Sequence, residues 1–195
     1  MHINWQLREL NLKIVYYGPA LSGKTTNLEQ IYARVNPSQR SELVSLKTHE
    51  DRTLFFDFMQ LELGKIGGLT PKIHLYTVPG QSYYEASRRL MLRGSDGVVF
   101  VADSTPSRIN DNRASWRDMQ NHLRSFDIDP DQAPIVVQVN KQDLPAALKP
   151  MTIKYMLQIN GLPMIEAVAV QGHGVLETLK TITRNVIVQI QREMA

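Results

Sequence analysis

Two short motifs, each placed directly after an apolar run, carry the side chains with the clearest chemistry in this chain. The first is Gly18-Pro19-Ala20-Leu21-Ser22-Gly23-Lys24-Thr25, which matches the pattern G-x-x-x-x-G-K-[S/T]. Glycines in this pattern let the backbone curl, so that successive N–H groups and the positive end of the following helix face phosphate groups. Lys24 would bring a point charge to the β- and γ-phosphates, and the Thr25 hydroxyl is suited to Mg²⁺. The motif therefore predicts a site for a nucleoside triphosphate.

The second motif is Asn140-Lys141-Gln142-Asp143, which has the form N-K-x-D and follows the apolar residues 135–139. An aspartate at this place can accept hydrogen bonds from both the N1–H and the 2-amino group of guanine. Adenine presents a bare N1 acceptor and would leave the carboxylate unpaired. The pattern is weak alone, but behind a buried strand and downstream of a phosphate loop it predicts guanine as the base.

The elements that must position these motifs follow from the spacing of apolar residues. Strands are predicted at residues 12–17, 54–63, 72–78, 97–102, 135–139 and 164–170, and helices at 25–35, 82–93, 110–126, 152–159 and 175–193. Residues 54–63 and 72–78 form a hairpin, because glycines separate them. Repeated strand-helix alternation implies right-handed crossovers and ligands bound beyond the carboxyl ends of the strands. We therefore predict an α/β fold with an open, doubly wound, mostly parallel six-stranded sheet, one antiparallel edge strand, and helices on both faces.

Composition sets limits on the class of protein. The 195 residues suit one domain, which we expect to span residues 1–195. The absence of cysteine excludes disulfides, thiolate metal sites, a cysteine nucleophile, and prenyl or palmitoyl anchors. A net charge of only +3 gives no strong case for nucleic acid. The first residues show no export or myristoylation signal, and no apolar run is long enough to span a bilayer. We expect a cytoplasmic protein without a lipid anchor, monomeric when alone.

In this order the two motifs resemble those of the small Ras-like GTPases. The segment Thr77-Val78-Pro79-Gly80-Gln81 is similar to the family's D-x-x-G-Q, with Thr77 in place of the aspartate that helps to hold Mg²⁺. The resemblance implies that Gly80 gives its N–H to the γ-phosphate and that Gln81 orients the attacking water. Residues Val168-Ala169-Val170 stand where the family has its third base-contacting loop, S-A-K, which contributes a backbone N–H to the guanine oxygen. Only Ala169 matches there.

Upstream, Thr53 is the expected switch threonine, which would contact Mg²⁺ and the γ-phosphate; Thr48 is the competing choice. The patterns T-x-x-D-R-T-L-F-F-D-F, T-V-P-G-Q, G-P-x-L-S-G-K-T-T-N and R-G-x-D-G-V-V-F-V-A-D-S together resemble the bacterial MglA-type Ras-like GTPases, over about residues 10 to 190. Members of this branch also lack the D-x-x-G aspartate. In that branch the arginine before the switch threonine acts as an arginine finger in cis, which identifies Arg52 as a catalytic candidate. Ala20 departs from the branch, which usually has glycine there.

The resemblance implies a complete set of site residues. The catalytic residues are Gln81 and Arg52, and the Mg²⁺ ligands are Thr25 and Thr53. The residues expected to bind GTP are Gly18, Ala20, Leu21, Ser22, Gly23, Lys24, Thr25, Thr26, Thr53, Pro79, Gly80, Asn140, Lys141, Asp143, Val168, Ala169 and Val170.

The expected function is that of a GTP/GDP-dependent molecular switch that hydrolyses GTP slowly on its own and reorders two loops when the γ-phosphate leaves. The resemblance implies a role in bacterial cell polarity or gliding motility, an MglB-type activator of roadblock fold, and effector proteins.

Two alternatives compete with this interpretation. A nucleotide-locked scaffold that hydrolyses little is suggested by Ala20 and Thr77. A P-loop ATPase or nucleotide kinase is disfavoured, because the N-K-x-D motif has no use there and no arginine-rich lid is evident. Arg88, Arg89 and Arg93 are interpreted as a solvated basic helix face without an assigned function.

Overall fold

The central sheet consists of eight strands within the part of the chain that the computed structural model describes, which is residues 2–47, 53–81 and 84–194. The strands are β1 (His2–Asn4), β2 (Glu9–Tyr17), β3 (Val44–Lys47), β4 (Thr53–Glu62), β5 (Thr70–Thr77), β6 (Gly97–Asp103), β7 (Ile135–Asn140) and β8 (Met164–Glu166). Their order is β3-β4-β5-β2-β6-β7-β8, with β1 also paired to β2. Strands β5, β2, β6, β7 and β8 run parallel, whereas β4 is antiparallel to β5 and β3 is antiparallel to β4.

Five α-helices cover the two faces of this sheet in the described residues. They are α1 (Lys24–Arg34), α2 (Glu85–Leu92), α3 (Ile109–Arg124), α4 (Pro150–Leu157) and α5 (Val175–Met194). One apolar core joins the sheet to α1 and α5, and a second core on the opposite face joins it to α2, α3 and α4. None of the helices in the described ranges has the length and apolar character needed to cross a membrane. The predicted doubly wound α/β architecture is therefore confirmed.

The two strands with the most continuous apolar sequence lie in the middle of the sheet. Every residue of β6 and of β7 is buried, because helices cover both faces there. One polar side chain on β7, Gln138, is fully buried and satisfied. Its amide exchanges hydrogen bonds with Asn27 of α1 (2.7 and 2.9 Å) and donates to the Thr178 hydroxyl of α5 (2.9 Å). This network fixes the start of α1 against the sheet, directly behind the loop of residues 18–25.

The observed strands differ from the predicted six in number and in several boundaries, most of all at the start of β2 and the end of β8. Strands β1 and β3 have only three and four residues, so they show no period that a sequence pattern could reveal. β1 pairs with Glu9–Asn11, where β2 extends beyond its predicted start. The predicted strand 164–170 ends at Glu166, and Ala169–Gln171 form a 3₁₀ turn instead. The β-branched residues Val168 and Val170 favoured the longer strand, but here the chain turns back through a left-handed Gly172.

The observed helix boundaries lie closer to the predicted ones than the strand boundaries do. Helix α4 starts two residues earlier than predicted, because Pro150 occupies its first turn, where the missing N–H costs nothing. It ends at Leu157, since Gln158 adopts a left-handed conformation. Helix α2 is observed from Glu85, and the predicted start at residues 82 and 83 lies outside the described part of the chain.

Candidate nucleotide site

The motif at residues 18–25, called the P-loop below, connects the carboxyl end of β2 to the start of α1, as the sequence predicts. Gly18 and Gly23 have φ angles of 145° and 103°, which side-chain-bearing residues rarely adopt. A methyl group on Gly18 would overlap the Val101 carbonyl oxygen, and one on Gly23 would overlap the Asn140 side chain. The loop geometry therefore depends on glycine at both ends.

Lys24 is buried at the first turn of α1, with 7% of its surface exposed. Its ammonium group donates to the carbonyl oxygens of Gly18 (2.9 Å) and Pro19 (2.7 Å), so it lies across the mouth of the P-loop. Burial, with a further contribution from Arg88, lowers the pKa of Lys24 to about 7, and the attraction of Asp57 only partly compensates. A cation held in so dry a place favours an anionic ligand, because a phosphate would supply the missing counter-charge.

Asn140, the first residue of N-K-x-D, joins the P-loop to the loop after β8. Its side-chain amide donates to the Ser22 carbonyl oxygen (2.8 Å), and its side-chain oxygen accepts from the Ala169 N–H (2.8 Å). The residue is buried at the carboxyl end of β7. One side chain thus holds together three segments of the chain, of which the P-loop lies more than a hundred residues before the other two. Residues 168–170 are the loop expected to give a backbone N–H to the guanine oxygen, and in this structure the Ala169 N–H donates to Asn140.

Lys141 makes an ion pair that sequence reasoning did not assign. Its ammonium group donates to Asp103 at the end of β6 (2.7 Å). Burial alone would raise the pKa of Asp103, but hydrogen bonds from Lys141 and Thr105 outweigh burial and lower it. Asp143, two residues after Lys141 in the chain, is exposed. Asp103 belongs to the pattern R-G-x-D-G-V-V-F-V-A-D-S, and its place at the carboxyl end of a predicted strand could have indicated that it lies near the site.

Arg108 connects this pair to the P-loop. Its guanidinium group donates to the Ala20 carbonyl oxygen (2.8 Å), lies 3.9 Å from Asp103, and forms an ion pair with Asp111. Lys141, Asp103 and Arg108 therefore form a charged network along the carboxyl edge of the sheet, and Arg108 joins this network to the P-loop backbone.

The loop after β5 carries Gly80 and Gln81 against the P-loop. A methyl group on Gly80 would overlap the Ala20 backbone, so only glycine allows this approach. The side-chain oxygen of Gln81 is buried and has no hydrogen-bond partner among the described residues. A cavity of about 360 Å³ lies beside it, lined by Ala20, Gly80, Gln81, Arg88 and Arg108 among others. Gln81 therefore lies next to the P-loop, with a polar atom still available.

Arg88 is buried, so its interpretation as a solvated residue is wrong, whereas Arg89 and Arg93 are exposed as expected. The Arg88 guanidinium donates to the hydroxyl of Tyr17 (3.2 Å), to Asp118 (3.2 Å) and to the backbone carbonyl of Gln81. Arg88 lies four residues before the buried Leu92, which is about one helical turn. This spacing places both side chains on the same face of α2 and could have indicated that Arg88 is buried.

Asp57 is another residue whose place in the site sequence reasoning missed. It lies on β4, is fully buried, and accepts hydrogen bonds from the hydroxyls of Thr25 (2.5 Å), Thr77 (2.8 Å) and Ser45. The Thr77 hydroxyl in turn accepts from the backbone N–H of Asp57 (2.8 Å). The carboxylate therefore lies between the predicted Mg²⁺ ligand Thr25 and the position where the D-x-x-G aspartate is missing.

The remaining predicted residues occupy different environments. Thr26 is half-buried, Pro79 is buried, and Leu21 and Val170 are exposed. Thr53 is the first residue of β4, where its backbone pairs with Lys47, and its side chain is outside the described atoms. Arg52 and Thr48 lie outside the described residues, so their predicted roles stay predictions.

The whole of this site lies within the residues that a family comparison covers. The model of the ADP-ribosylation factor family matches residues 2–186. Mutual gliding-motility protein MglA of Myxococcus xanthus (strain DK1622) is 46% identical over 190 residues, which cover 97% of each chain. ADP-ribosylation factor-like protein 4D of Mus musculus is 30% identical over 121 residues, which are 62% of this chain and 57% of that protein. The protein of the same name from Homo sapiens is 28% identical, with the same shares covered.

Proposed function

Because the chain belongs to the ADP-ribosylation factor family and is an MglA-type small GTPase, we propose which of its residues carry the function and where the switch acts. Small GTPases bind and hydrolyse GTP and change state with the nucleotide. We propose that this switch serves cell polarity or gliding motility, as the name of the Myxococcus xanthus relative indicates. A nucleotide-locked scaffold is not favoured, since the family consists of GTP hydrolases.

One observation carries the assignment of the nucleotide site, and it is the position of Asn140. This side chain joins the P-loop at Ser22 to the loop of Ala169, so the phosphate-binding and base-binding segments form one surface. In the proposal, P-loop N–H groups and Lys24 hold the phosphates, and Asp143 reads the guanine. Residues 168–170 close the base pocket through their backbone.

The residues around Thr25 fit a magnesium ion. The donors there are all oxygens, which Mg²⁺ prefers. The Thr25 hydroxyl donates its proton to the Asp57 carboxylate (2.5 Å), which adds a further oxygen-rich acid beside this hydroxyl. In the proposal Thr25 and Thr53 hold Mg²⁺, which when bound neutralises charge on the β- and γ-phosphates.

Hydrolysis depends on groups near the γ-phosphate end of the P-loop. Gln81 would place the attacking water, because its side-chain oxygen is buried beside Ala20 without a partner among the described residues. Arg52 would stabilise charge on the transferred phosphoryl group, an effect that is worth roughly 10³ to 10⁵ in rate elsewhere. An MglB-like roadblock-fold activator would accelerate the reaction by fixing both loops, and effectors would bind the GTP form.

We further propose that residues 1–195 form a single domain, and that the protein acts in the cytoplasm as a monomer. The exposed residues of α2 then remain free for the activator. Size-exclusion chromatography with light scattering, with GDP and then with a non-hydrolysable GTP analogue, checks the monomer.

Single-turnover hydrolysis of GTP by the purified chain, with and without a roadblock-fold partner, tests the function. We expect slow hydrolysis alone, marked acceleration with the partner, and displacement of labelled GTP by GDP but not by ATP. Tight GTP binding with no turnover in either arm would instead establish the nucleotide-locked scaffold. Equal displacement by ATP would refute guanine selectivity.

A further inference from the structure

We propose that Arg88 of α2 is a positioning residue for hydrolysis, because its guanidinium group holds the backbone of Gln81 at a fixed place beside the P-loop. The inference deepens the proposed GTPase function and rests on it, since it takes Gln81 as the residue that places the attacking water. It assigns a role to a buried arginine that lies outside the nucleotide-binding motifs. In this role Arg88 acts through Gln81 and not on the reacting atoms.

The guanidinium group of Arg88 contacts three separate elements of the fold. Arg88 is 5% exposed. Its Nε donates to the hydroxyl of Tyr17 at the end of β2 (3.2 Å), and one terminal nitrogen donates to Asp118 of α3 (3.2 Å). The other terminal nitrogen donates to the backbone carbonyl oxygen of Gln81. Because Tyr17 directly precedes Gly18, one rigid planar group ties the position of Gln81 to the start of the P-loop.

The backbone around Gln81 is held on both sides. On one side, Gly80 packs so closely against Ala20 that a methyl group on Gly80 would overlap the Ala20 backbone. On the other side, the Gln81 carbonyl oxygen accepts hydrogen bonds from Arg88 and from the N–H of Tyr84 (3.3 Å). These contacts leave the side-chain torsions as the main freedom of Gln81.

The side-chain oxygen of Gln81 depends on this anchored backbone for its place. It is buried, and it has no hydrogen-bond partner among the described residues. The cavity beside it has Pro19 and Ala20 of the P-loop and Arg88 in its wall. A shift of the carbonyl group that Arg88 holds would move this oxygen as well, because both belong to one residue. A misplacement of about 1 Å in a catalytic group can lower a rate by a factor of about 10².

The cost of burying Arg88 indicates that this side chain serves position more than stability. A guanidinium group taken out of water loses hydration, and its partners must offset that loss. The carboxylate that pairs with it, Asp118, belongs to a side chain that is 44% exposed, so water screens much of the attraction. Two further acceptors, the hydroxyl of Tyr17 and the carbonyl of Gln81, are neutral. A methionine would fill the same space without this cost, but it could not hold the Gln81 backbone.

The test is the maximal single-turnover rate of GTP hydrolysis with preloaded GTP and saturating roadblock-fold partner. Under these conditions the rate depends neither on nucleotide affinity nor on partner affinity. We expect Arg88→Met to lower it by about ten-fold to a hundred-fold. Arg88→Lys keeps the positive charge but lacks the planar fork, so it should be about as slow as Arg88→Met.

The decisive comparison repeats the substitution in a chain that lacks the glutamine. In the Gln81→Leu background, Arg88→Met should slow the reaction by less than about two-fold further, because Arg88 acts through Gln81. Arg89→Met is the matched control, since it removes an exposed arginine from the same helix. Its maximal rate should stay within about three-fold of wild type.

Three results would overturn the inference. An unchanged rate in Arg88→Met would leave Arg88 with a structural role only. A near-wild-type rate in Arg88→Lys would show that charge matters and the fork does not. An equal loss with and without Gln81 would show that Arg88 acts independently of the glutamine.

If Arg88→Met does not fold, as judged by circular dichroism, Arg88→Lys carries the same comparison in both backgrounds. A folded Arg88→Lys that is slow only when Gln81 is present supports the inference, and any other pattern refutes it. Gln81→Leu alone separates the two proposals. A wild-type rate in Gln81→Leu would refute the proposed role of Gln81, whereas a slow Gln81→Leu beside a normal Arg88→Met refutes only the role of Arg88.

Discussion

Lys24 should make the stability of the nucleotide-free protein depend on pH in a way that a single substitution removes. Burial, and after it Arg88, lowers its pKa from 10.5 to about 7 in the folded chain. Between these two values the unfolded chain binds more protons than the folded one, so stability rises with pH through that window. Below pH 7 Lys24 is charged in both states, so the full cost of burying the charged side chain lowers the free energy of unfolding. At 1.36 kcal/mol for each pH unit, the difference between the two pKa values corresponds to a free energy of about 5 kcal/mol.

Replacing Lys24 with methionine removes this penalty but also removes two hydrogen bonds to P-loop carbonyl groups. Those bonds are worth about 1.5 to 3 kcal/mol each, so the net change at one pH is small. The pH dependence is therefore the decisive quantity. Relative to wild type, the free energy of unfolding of Lys24→Met should fall by about 2 kcal/mol between pH 7 and pH 9, because only the wild type loses its penalty.

Urea unfolding of the nucleotide-stripped proteins at pH 7, 8 and 9, followed by tryptophan fluorescence, measures this difference. Lys65→Met is the matched control, because Lys65 is exposed on a loop. Its difference from wild type should stay within about 0.5 kcal/mol over the same range. A difference for Lys24→Met that does not change with pH would mean that Lys24 titrates near 10.5, and the argument from burial would be wrong. Lys24→Met should also lose tight GTP binding.

Asp143→Asn should lower the preference for GTP over ATP and raise the affinity for xanthosine triphosphate, because the carboxylate pairs with two guanine donors; unchanged selectivity in competition binding would place base recognition elsewhere. Gln81→Leu and Arg52→Ala should leave GTP affinity within a few fold but remove most of the partner-stimulated single-turnover rate, about 2 to 4 kcal/mol. A stimulated rate that survives Arg52→Ala would assign the arginine to the activator. Tyr16→Phe should be neutral or stabilising by about 1 kcal/mol, because its buried hydroxyl has no partner in the described residues. Tyr17→Phe should cost about 1 to 2 kcal/mol, because its hydroxyl bonds to an arginine and a histidine; the reverse order in urea unfolding would contradict this.

The central part of the fold could be predicted because its strands are buried on both faces. Residues 97–102 and 135–139 are nearly continuous apolar runs, and they form β6 and β7 with little change of boundary. The two phosphate and base motifs follow β2 and β7 directly, so their meeting at one edge of the sheet follows from parallel topology alone. Predictions of this kind use only local pattern and chain order.

The predictions that failed concern features that depend on contacts between residues far apart in the chain. Strand β1 exists because an edge of β2 is open at Glu9–Asn11, which no local pattern shows. Arg88 has the sequence of a solvated residue, yet the hydroxyl of Tyr17 and the backbone of Gln81 satisfy it in the interior. In both cases the deciding group lies far away in the chain, and propensity or charge patterning carries no information about it.

Asp57 and Thr77 show this limit most clearly. Both residues belonged to recognised patterns, and the loss of the acid at position 77 was evident, but their relation depends on hairpin register. A slip of one residue would turn Asp57 to the other face of the sheet, away from Thr25. In the observed register the two side chains are direct neighbours, and the Thr77 hydroxyl donates to the Asp57 carboxylate. A search along the motif alone therefore does not find Asp57, because only the pairing of the two strands brings this carboxylate beside Thr25.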